Sequence, residues 1–145
     1  MSETIASILK NKGCRLWSVD PEATIYDAIA LMAEKSIGAL VVLSEGKLVG
    51  IVSERDYARK VILQGRSSKD TRVREIMTSS VITVTPENTV DECMRIITNR
   101  RVRHLPVLAG DEVMGVVSIG DLVRAIIAEQ AATIDHLHSY IAGRY

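Results

Sequence analysis

The second half of the sequence repeats the first half at a fixed offset of 65 residues, without a gap. Self-similarity at one period means that a single structural unit is used twice, so the chain must fold into two copies of that unit. The matched positions include Pro21 and Pro86, Glu22 and Glu87, Thr24 and Thr89, Leu40 and Leu105, Leu43 and Leu108, Gly50 and Gly115, Ser53 and Ser118, Asp56 and Asp121, and Arg59 and Arg124.

The local pattern of each copy predicts the element order β-α-β-β-α. A short strand ends at proline in WSVDP and ITVTP, and Thr24 or Thr89 then lies where an N-cap hydroxyl would accept a bond from a free helix N–H. Apolar residues follow at the i, i+3, i+4, i+7 spacing of an amphipathic helix. Two apolar strands around the turns SEGK and AGDE predict a hairpin, and a second helix over 54–64 and 119–130 completes each copy.

The two copies are expected to pack about a pseudo-twofold axis, because one unit alone has too little apolar area for a stable core. The predicted fold class is therefore α/β, of the α+β kind, with tandem β-α-β-β-α repeats. The terminal extensions are expected either to close the core or to make dimer contacts. The sequence is predicted to divide into five segments: an N-terminal helix at 1–14, the first repeat at 15–66, a linker at 67–79, the second repeat at 80–130 and a C-terminal helical extension at 131–145.

Composition limits the classes of function. The 145 residues have a formal net charge of zero, which disfavours a non-specific nucleic-acid binder. The N-terminus does not have the pattern of a signal or transit peptide, and no apolar run has the length of a membrane span, so we expect a cytoplasmic protein. The cysteines Cys14 and Cys93 form no CxxC motif, and inert thiols are expected, with a redox role left open.

The motif G-h-h-S-x-x-D, where h is aliphatic, occurs once in each repeat, in GIVSERD (residues 50–56) and GVVSIGD (residues 115–121). Glycine permits a close approach of backbone, and serine caps a helix or binds a ligand oxygen. An aspartate in the first helical turn can accept two hydrogen bonds, which suits the vicinal hydroxyls of a ribose. The alternative is purely structural, with the serine as N-cap and the aspartate stabilising the helix dipole.

Basic residues differ between the repeats. Arg100, Arg101, Arg103 and His104 precede a strand of the second repeat, where the first repeat has Gly38 and Ala39 at the positions of Arg103 and His104. Arg55 precedes Asp56, whereas Gly120 precedes Asp121. Such side chains near a ribose-binding carboxylate indicate phosphate recognition. A solvated basic edge is the alternative, and it suits Arg100 and Arg101 best.

Catalysis is not expected. His136 and His138 are two positions apart on a predicted helix, so they point to different faces and do not suit one metal ion. Glu54 and Asp56 have the same separation and do not form a catalytic carboxylate pair. The sequence contains no phosphate-binding P-loop and no GxGxxG motif.

Residues 15 to about 130 resemble a pair of cystathionine-β-synthase (CBS) domains, together called a Bateman module. The resemblance rests on the repeated β-α-β-β-α unit, the strands that end in proline, the VRHLPV strand and the two G-h-h-S-x-x-D motifs. ERDYARKVILQGRSSK, VSIGDLVRAII and the tail HLHSYIAGRY are similar to stand-alone CBS-pair proteins of proteobacteria and plant mitochondria. The resemblance implies a regulatory binder of an adenosyl ligand: AMP, ADP, ATP, NAD(H) or S-adenosylmethionine.

The resemblance also implies two ligand clefts between the repeats. Asp56 and Asp121 would bind ribose, and Ser53 and Ser118 would assist at ribose or phosphate. Arg55, Arg103 and His104 would hold phosphate. The base would contact Val81, Ile82 and Thr83 in the Asp56 cleft, and Trp17, Ser18 and Val19 in the Asp121 cleft. Because the basic residues differ between repeats, we expect unequal clefts, with the stronger phosphate binding at Asp56.

The family's modules pair through their helices into a flat disc, so a homodimer is expected. The predicted function is a regulatory nucleotide sensor that transmits ligand occupancy to a partner protein, which the sequence does not identify. The alternative is a dimerisation scaffold whose clefts are vestigial and bind nothing.

Overall fold

A computed structural model of the chain describes residues 3–13 and 15–141, which form two compact units. We call Arg15–Thr83 with Pro106–Val116 the first-repeat unit. The N-terminal helix, Val84–Leu105 and the segment from Val117 onward form the second-repeat unit. The structure is mixed α and β, as the periodicities predict.

The first-repeat unit contains a three-stranded sheet in the order β1-β2-β3. Strand β1 is parallel to β2, and β2 is antiparallel to β3. Glu45 and Gly46 join β2 to β3 with φ angles of 51° and 78°, the left-handed conformation that a two-residue hairpin loop requires. The elements are β1 (Ser18–Val19), α2 (Ile25–Lys35), β2 (Ala39–Ser44), β3 (Lys47–Ser53), α3 (Glu54–Tyr57), a π-helical turn (Ala58–Ile62) and α4 (Val73–Ile76).

Helix α2 begins as the sequence predicts, because the Thr24 hydroxyl accepts a bond from the Asp27 N–H at 3.2 Å. Its apolar face packs on one side of the sheet, with Ile25, Ala28 and Met32 at most 2% exposed. The core of this unit consists of aliphatic side chains from the helices and strands, namely Ile25, Ala28, Met32, Leu40, Val42, Val52, Val61, Val73 and Ile76.

In the second-repeat unit, helix α5 (Val90–Arg100) also begins at its predicted cap. The Thr89 hydroxyl accepts from the Glu92 N–H at 3.1 Å, and the Glu92 carboxylate accepts from the Thr89 N–H at 2.9 Å. Strands β4 (His104–Ala109) and β5 (Glu112–Ser118) pair in a two-stranded sheet, of which Pro106–Val116 belongs to the first-repeat unit and only the outer ends belong to this one. The helices are α1 (Ile5–Lys12), α5 (Val90–Arg100) and α6 (Ile119–Ile141).

Each repeat is completed by the helical segment that precedes the other repeat. In the linker, the Val73 N–H donates to the Ala23 carbonyl at 2.8 Å. At the N-terminus, the Ile5 N–H donates to the Asn88 carbonyl at 2.9 Å, which is the equivalent bond of the second repeat. Because Ile5 is fully buried, α1 closes the core of its unit, one of the two roles expected for this extension.

Two element predictions are wrong in part. Within the described residues, ITVTP forms no regular strand, and only Val84 lies in an isolated β-bridge. The following Thr85 N–H bonds to the Asn88 side chain at 2.8 Å, and the Pro86 carbonyl accepts from Ala6. The helix predicted over 54–64 is the short helix α3 followed by the π-helical turn. Helix α6 runs through the tail as predicted, to Ile141.

Candidate functional site

The G-h-h-S-x-x-D motif of the first repeat forms the junction between β3 and α3. The Asp56 N–H donates to Ser53 Oγ at 3.1 Å, and Asp56 Oδ2 accepts from both the N–H and the hydroxyl of Ser53 at 3.0 Å. This reciprocal pair is a capping box, which satisfies free N–H groups at the start of the helix. The structural interpretation of the motif is therefore correct for its serine.

The second motif closes the junction between β5 and α6 in the same way. The Asp121 N–H donates to Ser118 Oγ at 3.2 Å, and Asp121 Oδ2 accepts from the Ser118 N–H at 2.8 Å. In each repeat, Oδ2 of the aspartate is thus used locally, and the further contacts of the whole carboxylate distinguish the two junctions.

Gly50, which opens the first motif, lies against the end of α4. A Cβ atom added at Gly50 would be 2.6 Å from Met77 Sδ and 3.1 Å from the Thr78 carbonyl oxygen. The Ile51 N–H donates to that same carbonyl at 3.0 Å. The glycine is therefore required for close packing of strand β3 against residues 77–78.

Asp56 is held by one local cation. Lys60, one helical turn further on, has its Nζ 3.2 Å from Asp56 Oδ1. The same Nζ donates to the Ile76 carbonyl at 2.9 Å, at the last residue of α4. The Asp56 side chain remains 18% exposed, so solvent reaches the carboxylate. Arg55, predicted to hold phosphate, is exposed beside it in sequence.

Asp121 is held by two cations and is only 8% exposed. Lys12 Nζ of α1 lies 2.8 Å from Oδ2, and Arg124 Nη2 lies 2.7 Å from Oδ1. Burial by itself raises the pKa of Asp121, but the hydrogen bonds from Lys12 and Ser118 outweigh it, so the pKa is below its usual value. Both oxygens of this carboxylate are therefore occupied by groups of the protein.

His104 and Arg103 lie in the unit that contains Asp121. The Ile119 N–H donates to the Arg103 carbonyl at 2.9 Å, which joins the start of α6 to the residue before β4. Burial and, next, the positive charge of Lys12 lower the pKa of His104, and the charge of Asp121 opposes them. The lowered pKa favours the neutral imidazole in the chain without a ligand.

A cavity of about 350 Å³ adjoins Asp121 between α1 and α6. Its volume is at the lower end of the range typical of small-molecule sites. The polar lining is mostly charged and comprises Glu3, Asn11, Lys12, Asp121 and Arg124.

The predicted base-contacting residues fall into one unit. Val81 and Ile82 are half-buried and Thr83 is exposed, in the unit that contains Asp56. Trp17 and Val19 are half-buried and Ser18 is exposed, also in that unit. Lys35 Nζ lies 4.2 Å from the centroid of the Trp17 ring. Contact of either set with a base stays a prediction.

Sequence reasoning missed three cations that bind the two aspartates. Lys60 and Arg124 follow Asp56 and Asp121 by four and three residues, the spacing of neighbours on a helix, so this signal was available in the sequence. Lys12 is separated from Asp121 by 109 residues, and no local pattern indicates their contact.

Other candidate chemistry receives little support from the structure. Among the described residues, no group of histidine, cysteine or acidic side chains has the geometry to hold a metal ion. Cys93 is buried, and burial, with Glu92 nearby, raises the pKa of its thiol to about 11, which disfavours the reactive thiolate. Cys14 lies outside the described residues. Over 3–13 and 15–141, no helix has both the length and the apolar character needed to cross a membrane.

Comparison with known sequences identifies both repeats. A model of the CBS domain matches residues 7–62 and 73–128. The chain is 45% identical to the "CBS domain-containing protein CBSX3, mitochondrial" of Arabidopsis thaliana, over 99% of this chain and 74% of that protein. It is 27% identical to the CBS domain-containing protein YhcV of Bacillus subtilis, over 88% of this chain and 91% of the relative.

Solved structures agree with the sequence comparisons. A CBS-domain protein from Burkholderia ambifaria superposes with a TM-score of 0.85 at 54% identity, covering 88% of this chain and 96% of that chain. The CBS domain pair of protein MJ0100, solved with 5′-methylthioadenosine and S-adenosyl-L-methionine, gives a TM-score of 0.80 at 25% identity, covering 89% and 99%. The two halves of the sequence thus match one kind of domain in both comparisons.

Proposed function

Because the chain belongs to the CBS-domain family, we propose that it is a regulatory module that binds an adenosyl ligand through Asp56 and Asp121 and transmits occupancy to a partner protein. The ligand class is AMP, ADP, ATP, NAD(H) or S-adenosylmethionine. The proposed role is non-catalytic, and the proposed location is cytoplasmic, although the similar Arabidopsis protein is named as mitochondrial.

The observation that supports this proposal best is the carboxylate of Asp56. Its Oδ2 is fixed by the capping box, while its Oδ1 faces Lys60 and the side chain is 18% exposed. A fixed carboxylate with one accessible oxygen suits a pair of ribose hydroxyls, because the acceptor is oriented before the ligand arrives. The complex of MJ0100 with two adenosyl compounds supports the same ligand class.

Self-association is part of the proposal. Helix α6 exposes large apolar side chains to solvent, which is typical of an interaction surface. Ile127 is 59% exposed, Ile134 is 54% exposed and Leu137 is 53% exposed. A similar solved structure is a hexameric CBS-CP12 protein, at 27% identity and a TM-score of 0.78. We propose a homodimer that buries part of this face. The same face supports the scaffold alternative, in which the protein dimerises and binds no ligand.

Thermal unfolding with a panel of adenosyl compounds separates these functions. A ligand present at about 100 times its dissociation constant should stabilise the fold by about 2.7 kcal/mol. No shift with AMP, ATP, NAD(H) or S-adenosylmethionine would favour the scaffold. Native mass spectrometry of the purified protein then reports its oligomeric state and any retained nucleotide in one measurement.

The assignment of sites is tested by replacing the two aspartates separately. We expect Asp56→Ala to weaken AMP binding by about tenfold or more, because a charged acceptor of two hydrogen bonds is lost. Asp121→Ala should have a smaller effect, since its carboxylate already binds Lys12 and Arg124. Asp111→Ala, in the exposed turn before β5, is the matched control. Equal losses for Asp56→Ala and Asp121→Ala would contradict the ranking.

A further inference from the structure

We propose that Lys12 competes within the molecule for the ligand-binding carboxylate of Asp121, so that a ligand bound there must release the end of α1 from α6. This inference rests on the proposed function and adds a regulatory contact to one of its two sites. The contact involves residues that lie 109 positions apart, and it joins two helices of the same unit.

The hydrogen bonds of Asp121 indicate why Lys12 and a ribose compete for this carboxylate. Oδ2 accepts from the Ser118 N–H and from Lys12 Nζ, each at 2.8 Å. Oδ1 accepts from Arg124 at 2.7 Å. A ribose hydroxyl needs an accessible carboxylate oxygen, which Asp56 offers at Oδ1 because its side chain is 18% exposed. At Asp121, which is 8% exposed, Lys12 and Arg124 cover the two oxygens, so a ribose would have to displace them.

The two cations differ in how easily they leave. Arg124 belongs to α6 itself and is 73% exposed, so its guanidinium can turn into water without movement of the backbone. Lys12 is 41% exposed and is the last residue of α1, so its departure breaks a link between two helices. Displacement of Lys12 is therefore the step that couples ligand binding to the contact between α1 and α6.

The rest of α1 indicates where the change would occur. The start of the helix is anchored by backbone bonds from Ile5 to Asn88 and from Ala6 to Pro86, both at 2.9 Å. Ile8 and Leu9 are each 6% exposed, whereas residues 10–12 are exposed. The Lys12 side chain thus ties the otherwise exposed last turn of α1 to α6, and that turn is the part that ligand binding would loosen.

The Asp56 junction provides an internal comparison. Its cation, Lys60, lies on the same helical segment, four residues along the chain, and its Nζ also bonds to the Ile76 carbonyl. The Asp56–Lys60 ion pair itself joins no second helix to that segment. The release of a helix is therefore inferred for the Asp121 site only.

The test measures binding of 5′-methylthioadenosine by calorimetry, because this compound has a ribose but no phosphate that Lys12 could contact. The background is Asp56→Ala, so that only the Asp121 site reports. We expect Lys12→Met to raise the affinity by about three- to tenfold, because the competing ion pair is lost and the aliphatic stem is kept. Lys10→Met, an exposed lysine of the same helix, should leave the affinity unchanged.

A second measurement uses the chain without substitutions. Hydrogen exchange of the amides of residues 9–12 should become faster when 5′-methylthioadenosine saturates the protein, because the last turn of α1 loses its ion pair with Asp121. Unchanged or slower exchange, or an affinity that Lys12→Met leaves equal or lowers, would overturn the inference alone. Absence of binding to every variant and to the unsubstituted chain would overturn the proposed function as well.

Discussion

The two Ser-x-x-Asp junctions have the same local structure and different surroundings. In both, the serine caps the following helix and one aspartate oxygen completes the capping box. At Asp56, the remaining oxygen faces one lysine of the same segment, and the side chain is 18% exposed. At Asp121, a lysine from α1 and an arginine of α6 occupy both oxygens, and 8% is exposed. The motif therefore determines the cap, whereas distant residues determine whether the carboxylate is available.

The largest expected difference between the junctions is in stability. Asp121→Asn keeps the shape of the cap but removes the charge that Lys12 and Arg124 neutralise, so we expect a loss of about 1–2 kcal/mol in the free energy of unfolding. The loss stays moderate because both cations reach solvent. Asp56→Asn should cost about 0.5 kcal/mol. Urea denaturation of the three proteins measures both values, and a larger loss for Asp56→Asn would break the comparison.

The pH dependence sharpens the same difference. Because the pKa of Asp121 is lowered in the folded chain, its ion pairs contribute fully above the usual carboxyl range of about 3.9. Their contribution is lost as the pH falls through the lowered pKa. The stability gap between the unsubstituted chain and Asp121→Asn should therefore be constant from pH 7 to about 5 and shrink below about 4. Lys10→Met is the control, since lysine stays charged over this range; a gap that grew with acid would contradict the assignment.

The smallest expected difference is between the two serines. Ser53→Ala and Ser118→Ala each remove a hydroxyl that accepts a helix N–H, and we expect each to cost about 1 kcal/mol. The two losses should agree within about 0.5 kcal/mol, because the caps have the same local geometry. Thermal unfolding of both variants checks this. A loss at one serine alone would show that the junctions differ locally and not only in their distant contacts.

Much of the fold could be predicted because its signals are local. The caps at Thr24 and Thr89, the turn at Gly46 and the length of α6 all follow from residues close together in sequence, and the fixed offset of 65 residues shows that the local pattern occurs twice. The strand predicted at ITVTP is reduced to one bridge residue, Val84, although the turn that follows has the same backbone bond as the turn after β1. Local sequence therefore does not explain this difference between the repeats. Nor does local sequence show that α1 packs on the second repeat, while the linker helix packs on the first.

For the candidate sites, local sequence is enough to identify the two capped junctions and their aspartates. It also determined that Lys60 and Arg124 lie within one helical turn of those aspartates. The contact of Lys12 with Asp121, across 109 residues, and the deeper burial of the Asp121 carboxylate depend on how the helices pack. The physical reason is that a cap depends on backbone groups three residues apart, whereas the charge around a carboxylate depends on every helix packed against it.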